Sequence, residues 1–256
     1  MNIPATSALK RRFVAAGWHL LISTLVAALA AGLVFGLWYP GPYRFLSGGQ
    51  ELFLLVVSVD VVLGPLLTFA VFNLDKGWPH LRRDLAVIGV IQLAGLGYGL
   101  HTVYLVRPVA MVFEVDRFRV ITAMDVNVSE LGEAPPEFRS LPLTGPRLLS
   151  VRLPKPGAEE TQSLGLALKG IDLSQRPPFW RPYDEARAAA LARGRPVELL
   201  NRKYPEAATR FEATLAEMRV PSAAARFLPL VARGDWVVIL DARGDIAGFL
   251  KADGFF

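Results

Sequence analysis

The chain contains no cysteine, which excludes disulfide bonds, thiolate metal sites and a cysteine nucleophile. Its three histidines, His19, His80 and His101, all precede residue 107. Residues 107–256 therefore cannot form a Ser-His-Asp triad or a histidine-ligated zinc site. Glycine motifs that cradle phosphates after a strand are also missing. We expect no catalytic, cofactor or metal site, and we interpret the chain as a binding or assembly protein.

The chain also lacks a strong excess of one charge. Its net charge is +5, but residues 107–256 hold 21 Lys and Arg against 19 Asp and Glu. No basic stripe with interleaved aromatic side chains occurs in that half of the sequence. The composition therefore predicts no nucleic-acid partner.

Long apolar runs are abundant before Arg107. They cover about residues 13–38, 52–72 and 85–106, and each reaches the roughly 20 residues needed to cross about 30 Å of hydrocarbon. The first run could instead be a cleaved signal peptide ending near Ala28-Leu29-Ala30. However, it continues to Trp38-Tyr39, an aromatic pair typical of the membrane interface, which favours a retained anchor. We predict that residues 1–107 form a three-helix bundle surrounded by inner-membrane lipids.

Basic residues near the runs predict the orientation of the chain. Lys10-Arg11-Arg12 precede the first run, and Lys76 and Arg82-Arg83 lie between the second and third. Arg44 is the only basic residue between the first and second. The positive-inside rule then places the N-terminus in the cytoplasm and residues 108–256 outside it, in the periplasm of a bacterium.

The second run contains an unusual stretch, Val59–Phe72, in which Asp60, Gly64 and Pro65 fall within six residues. Pro65 cannot donate a hydrogen bond to the carbonyl of Val61, so we expect a kink there. Membrane helices tolerate glycine and proline when neighbouring helices satisfy the freed backbone groups. An ionisable residue in a bilayer usually turns toward a partner inside a bundle.

Depth along the helices predicts that partner. At about 1.5 Å per residue, Asp60 and Tyr98 lie about 12 Å below the periplasmic ends of their runs, and His101 about 8 Å. We therefore predict that Asp60 bonds Tyr98 or His101. His19 and Gln92 fall at comparable depth near the cytoplasmic end. Such polar groups either hold the bundle together or bind a partner.

Two Gly-xxx-Gly spacings allow close approach of helices. They are Gly32/Gly36 in the first run and Gly95/Gly99 in the third. They could serve packing within this bundle or docking of another protein's helix.

Residues 108–256 predict an α+β domain large enough to bury a core. Two β-hairpins are expected, Val109–Phe113 with Arg117–Met124, and Trp236–Leu240 with Ile246–Leu250. The second closes through a five-residue connection that contains Gly244, a residue suited to positive φ. The expected fold class is thus a membrane α-helical bundle followed by a small α+β periplasmic domain with antiparallel β-hairpins.

Helices are expected at Asp184–Arg193, which Gly194 ends, and at about Pro205–Met218. Glu130–Gly157 is rich in Pro, Gly and Glu and predicts a long irregular connection.

The acidic triplet Glu114-Val115-Asp116 permits a second interpretation. Similar triplets hold a metal in nucleotide-sugar transferases, but a lone triplet between two strands is usually a turn.

Several segments between Tyr43 and Val120 resemble, in order and spacing, the type IV pilin accessory proteins of the TfpX/TfpZ type. They are Leu46-Ser47-Gly48-Gly49, Val59–Thr68, Arg82-Arg83-Asp84-Leu85, Gln92-Leu93-Ala94, Tyr98-Gly99, Arg107-Pro108 and Asp116-Arg117-Phe118. Ala110 departs from the larger residue expected after Arg-Pro-Val.

This resemblance implies an inner-membrane protein of Gram-negative bacteria that helps a cognate type IV major pilin without catalysing a reaction. The candidate interaction residues are Asp60, Gly64, Pro65, Gln92, Tyr98, Arg107, Pro108, Asp116, Arg117 and Phe118. Two alternatives are a membrane enzyme that modifies pilin, such as a glycosyltransferase, and a sensor with an exported ligand-binding domain.

Overall fold

The structure is a computed structural model that describes residues 5–73 and 77–256. Lys76, one of the basic residues used to predict orientation, lies outside the described residues. The chain divides into two compact units, and each is described by itself. The first unit extends to Gly41 and resumes over Gly48–Val106, and the second combines Pro42–Ser47 with Arg107–Phe256.

The first unit contains three long helices. They are α1 (Ala5–Leu33), which a π-helical segment continues over Val34–Trp38, α2 (Gly49–Val71) and α3 (Trp78–Leu105). All three are long and apolar enough to cross a membrane, as the apolar runs predicted. α2 and α3 begin several residues before their apolar runs, because a helix does not need to end at the edge of the hydrocarbon.

α2 packs against both of the other helices. At one end of the unit, Tyr39 fits against Gly49 and donates a hydrogen bond from its hydroxyl to the carbonyl of Val103 (2.9 Å). Phe53 is buried in the same cluster, and Trp38 meets Tyr104 edge to face with centroids 5.2 Å apart. This aromatic cluster joins all three helices.

The second unit is built on a mixed sheet. Within the described residues it has eight strands: β1 (Pro108–Glu114), β2 (Arg117–Thr122), β3 (Arg147–Val151), β4 (Trp180–Pro182), β5 (Arg195–Pro196), β6 (Arg226–Ala232), β7 (Gly234–Leu240) and β8 (Ile246–Leu250). The order is β4-β3-β1-β2-β6-β7-β8, and β5 pairs with β6. β1/β3 and β2/β6 are parallel, whereas the other pairs are antiparallel.

Four α-helices accompany the sheet in the described part of this unit. They are α4 (Ala158–Ala167), α5 (Arg187–Arg193), α6 (Glu198–Lys203) and α7 (Ala208–Glu217). Short 3-10 turns lie at Val128–Glu133, Pro136–Phe138, Leu173–Gln175, Pro177–Phe179, Tyr183–Glu185, Pro205–Ala207 and Ser222–Ala224. A helical turn at Tyr43–Leu46 completes the unit.

Alternation along the central strands builds two cores. Phe227 on β6 packs with Phe211 of α7, while the next residue, Leu228, joins a second cluster with Phe118 and Tyr183. Leu46 is buried in this second cluster, and its carbonyl accepts a hydrogen bond from the backbone N–H of Arg233 (2.7 Å). The short segment between α1 and α2 is therefore part of the core of the second unit.

Both predicted hairpins are confirmed as β1–β2 and β7–β8. The two expected helices are present as α5 and α7, each preceded by a 3-10 turn. The prediction of an irregular connection over Glu130–Gly157 was wrong, because it contains β3. β6 was not expected, and the parallel pairs add to the predicted antiparallel ones. A parallel partner comes from a distant part of the chain, so short strands such as β3 carry little local signal.

Candidate functional site

A groove lies in the first unit between α1 and α3, with α2 at its floor. Its volume is about 210 Å³, and most of its lining is aliphatic. We call it the Asp60 groove. Its residues are His19, Ile22, Ser23, Val26 and Ala27 of α1, Val57 and Asp60 of α2, and Gly89, Gln92, Leu93 and Leu96 of α3.

Gln92 connects α3 to α2 at this groove. Its side-chain Nε2 donates a hydrogen bond to the backbone carbonyl of Asp60 (3.0 Å). The Gln92 amide lies directly over Gly64, where a Cβ atom would overlap with it. Gly64 is therefore needed for this contact, and Pro65 follows it within a helix that remains continuous from Gly49 to Val71.

The predicted bond from Asp60 to Tyr98 or His101 is absent among the hydrogen bonds of the described residues. Tyr98 is 77% exposed on the outside of the unit, and His101 is also exposed. Val56 of α2 packs against Gly99 of α3, and Asp60 lies four residues, or about 6 Å, further along α2. This alignment places its carbonyl beyond the level of Tyr98 and within reach of the Gln92 side chain.

A second polar contact connects α1 to α2. Nδ1 of His19 lies 2.5 Å from Oγ1 of Thr68, which is buried. Both His19 and Gln92 therefore line the groove while holding a polar group of α2. Such bonds stabilise helix pairs in a lipid environment by about 0.6 kcal/mol on average.

The carboxylate of Asp60 is different from these groups. Within residues 5–73 and 77–256, no side chain or backbone N–H donates a hydrogen bond to it, and no cation pairs with it. It borders a largely aliphatic groove, where an ionisable group without a partner is energetically expensive. The groove thus presents an acceptor that the described part of the chain does not satisfy.

The glycine pairs contribute unequally to packing. A Cβ atom at Gly99 would overlap with the side chain of Val56, so this glycine permits the α2–α3 approach. Space is open around Gly32, Gly36 and Gly95 in the described structure. Only one member of the two predicted pairs therefore serves packing within the bundle.

The remaining sequence-predicted residues lie in the second unit. Arg107 and Pro108 are buried at the start of β1, where Nε of Arg107 donates to the carbonyl of Pro142 (3.3 Å). Phe118 is fully buried between Phe113 and Tyr183. These three residues belong to the fold rather than to an exposed surface.

Asp116 and Arg117 are at the tip of the β1–β2 hairpin. Nε of Arg117 donates to Oδ1 of Asp116 (2.8 Å), and this hydrogen bond raises the pKa of Arg117. The guanidinium also lies over the ring of Phe255 (5.1 Å). Val115, between the strands, has φ 59°, so the acidic triplet forms a strained turn.

Glu114 of the triplet bonds elsewhere. Its Oε2 accepts a hydrogen bond from the hydroxyl of Ser174 (2.8 Å), while neighbouring Arg119 pairs with Asp172 (2.7 Å). Among the described residues, no three His, Cys, Asp or Glu side chains are arranged to hold a metal. Sequence reasoning missed this network because its members are more than 50 residues apart and follow no pattern.

Taken together, the three candidate spans and the mixed-sheet unit define an integral membrane protein with a largely aliphatic groove in its helical bundle. Residues 7–48 match the family model described as Fimbrial assembly protein FimB. Fimbrial assembly proteins of serogroups I and E1 from Dichelobacter nodosus are 39% and 38% identical to this chain. Each alignment covers 96% of the chain and 98% of the relative. The chain therefore belongs to the fimbrial assembly protein family.

A shorter relative matches only part of the chain. The fimbrial assembly protein of serogroups C1 and C2 from the same organism is 44% identical over 129 residues. That alignment covers 49% of this chain and 98% of the relative. No solved structure matches the chain.

Proposed function

We propose that this protein is an inner-membrane accessory protein that binds a cognate type IV major pilin, stabilises it and promotes its assembly into pili without catalysing a reaction. The observation that carries the proposal is the alignment with fimbrial assembly proteins, at 39% and 38% identity over 96% of a chain that has three candidate spans. The resemblance of its membrane segments to pilin accessory proteins supports the choice of pilin as partner. The lack of cysteine, and of histidine after residue 101, supports a non-catalytic role.

The proposed orientation has the N-terminus in the cytoplasm and the second unit in the periplasm. Lys10-Arg11-Arg12 and Arg82-Arg83 flank the predicted cytoplasmic side, whereas Arg44 is the only basic residue in the segment between α1 and α2. We also propose that α1 is retained, since Val34 and Tyr39 are fully buried against the other helices. Activity of a reporter fused after Phe256 should appear only outside the cytoplasm, and activity in the cytoplasm alone would contradict this orientation.

Both units have a role in this proposal. A pilin waiting in the inner membrane has one apolar helix and a periplasmic head, so its partner needs a surface for each. The bundle would contact the helix, with Gly64 acting through the packing of Gln92 on α2, and residues 108–256 would hold the head. The predicted sites Asp116 and Arg117, exposed at a hairpin tip, are available for the head.

Co-purification from native membranes tests the proposal. Affinity-tagged full-length protein should retain the pilin, and retention should fall strongly when Gly64-Pro65 are replaced by Leu-Leu or residues 108–256 are deleted. Leu29→Ala, on an exposed face of α1, is the matched control and should retain the pilin. Undiminished pilus assembly after both disruptive changes would contradict the proposal.

The same cells test the enzymatic alternative. If the protein modified pilin through Glu114 or Asp116, Glu114→Ala or Asp116→Ala would change the mass of the pilin. We expect the intact mass to be the same in wild type and in both variants. The bond from Ser174 to Glu114 and the pairing of Asp116 with Arg117 support this expectation.

A further inference from the structure

We propose that the Asp60 groove receives the transmembrane helix of the pilin, and that the Asp60 carboxylate accepts a hydrogen bond from a donor on that helix. This inference rests on the proposed function and assigns its membrane-embedded docking site. It starts from the shape of the bundle. α1 and α3 meet where Trp38 packs on Tyr104, and α2 forms the floor of the groove further along both helices.

The lining of the groove determines the chemistry of its occupant. Most of the contact area is aliphatic, from residues such as Ile22, Val26 and Leu93, so the occupant must be apolar over most of its length. At the floor, Gln92 already donates to the Asp60 carbonyl, and His19 already contacts Thr68. Beside the neutral oxygens of Ser23 and Gln92, the Asp60 carboxylate is the charged acceptor left for an incoming group.

A lipid acyl chain fits this groove poorly. Acyl chains carry no hydrogen-bond donor, so lipid in the groove would leave the carboxylate unsatisfied in an apolar environment. A helix with one donor at the matching depth would satisfy it and would fill the space between α1 and α3 with side chains. The unsatisfied acceptor therefore favours a helix that carries a donor over lipid. In the proposed function, the partner with a single membrane helix is the pilin.

The structure also separates this groove from the other open faces of the bundle. Leu21 on α1 and Ile91 on α3 are exposed, at 58% and 65%, and neither lines the groove. At about 100° of rotation per residue, each lies roughly opposite the groove-lining face of its own helix. They provide control positions on the same two helices.

Disulfide crosslinking in membranes tests the site, because the chain has no cysteine of its own. Single variants Val26→Cys and Leu93→Cys should crosslink to a pilin with one cysteine scanned along its helix. Leu21→Cys and Ile91→Cys should give at most a tenth of that yield. Adding Asp60→Leu should lower the groove crosslinks at least tenfold, and Asp60→Asn, which keeps an acceptor oxygen, should lower them less.

Each other outcome overturns the proposal. Equal yields at groove and control positions would mean that the groove holds lipid, while crosslinks at Leu21→Cys or Ile91→Cys alone would place the helix elsewhere. If Asp60→Leu does not accumulate, Val26→Trp fills the groove without removing the carboxylate and should abolish the Leu93→Cys crosslink. Pilin that still co-purifies while groove crosslinks are absent would refute only the docking site. If the pilin does not co-purify even with the wild-type protein, the proposed function is refuted as well.

Discussion

The two units differ in what they bury. In the bundle, small and polar residues such as Gly64, Thr68 and Gly99 are buried beside a few large ones, while many leucines and valines face outward. In the second unit, the buried positions hold large side chains such as Phe118 and Phe227. Lipid tails are as apolar as leucine, so hydrophobic burial drives association of helices only weakly there. Water provides that driving force for the second unit.

The comparison also shows which polar groups require explanation. In the second unit, the buried Arg176 is paired with Glu130 (2.7 Å) and bonded to Ser163. In the bundle, Gln92 and Tyr39 bond to backbone carbonyls. The partly exposed Asp60 carboxylate, by contrast, accepts no hydrogen bond from the described residues. An ionisable group without a partner in an apolar environment is a candidate functional group.

The largest expected effect compares two leucines in these two environments. Leu228→Ala, in the core of the second unit, removes a side chain that is 1% exposed. It should lower the free energy of unfolding of that unit by about 2–5 kcal/mol. Leu29→Ala, at a position 70% exposed on α1, should change stability by no more than about 0.5 kcal/mol.

Hydrogen–deuterium exchange of the full-length protein in lipid nanodiscs resolves both effects. Protection of β6 and β7 should fall in Leu228→Ala, and protection of α1 should be unchanged in Leu29→Ala. A comparable loss of protection in both variants would mean that burial of leucine side chains stabilises the two units in the same way.

The next effect reverses the usual preference for large buried side chains. Gly99→Leu forces a side chain into Val56 and should destabilise the α2–α3 pair by about 1–3 kcal/mol. Gly95→Leu, one turn away on the same helix, enters open space and should leave the pair unchanged. Thermal unfolding of the bundle in detergent measures both. Tolerance of leucine at position 99 would show that close approach of these helices is not required.

These contrasts explain why the sequence predicted the units unequally. The three helices follow from apolar length alone, and both hairpins follow from alternating runs around a turn. β3 was missed because parallel pairing with β1 decides its state, and no local pattern records it. β6 forms a hairpin with β7 and was missed because Pro229 interrupts its apolar run. The candidate residue Asp60 was identified because a carboxylate in an apolar run is conspicuous. Gln92 was also identified, through the resemblance and the depth count. However, the depth count paired Gln92 with His19, and Asp60 with Tyr98 or His101, so the contact between Asp60 and Gln92 was not predicted.

A smaller effect compares two buried tyrosines. Tyr183 donates to the carbonyl of Gly244 (2.7 Å) in the second unit, and Tyr39 donates to that of Val103 (2.9 Å) in the bundle. Tyr183→Phe should destabilise its unit by about 1 kcal/mol. Tyr39→Phe should cost about 0.6 kcal/mol, because unfolded segments in a membrane also find hydrogen-bond partners. Urea unfolding, followed by hydrogen–deuterium exchange in each unit, measures the loss of stability in Tyr183→Phe and in Tyr39→Phe.

Alkaline pH sharpens the test at Tyr183. Burial raises the pKa of Tyr183 to about 12, against an ordinary value of 10.0. The stabilisation from its neutral hydroxyl is therefore complete below pH 10 and is lost as pH rises through about 12. Tyr183→Phe should unfold with less dependence on pH in this range than wild type. Identical alkaline curves would mean that another group controls the transition, and Tyr43, whose pKa burial also raises to about 12, is the first to examine.

The smallest effect lies at the water-facing surface of the second unit. Hydrogen bonds from Arg152, and from the backbone of Lys155, lower the pKa of Glu159 to about 2. Because the folded pKa lies below the unfolded value of 4.5, this contribution is present above pH 4.5 and is lost as pH falls through about 2. Glu159→Gln should therefore lower the thermal midpoint slightly at pH 6, and less as the pH approaches 2. The difference should also shrink in high salt, since the pair is exposed to solvent.

Glu160→Gln is the matched control for this pair. It removes the same charge at the adjacent residue of α4, which forms no ion pair within the described residues. Its midpoint should follow that of wild type at every pH. If Glu159→Gln and Glu160→Gln behaved alike, the effect would come from net charge rather than from the Arg152 pair.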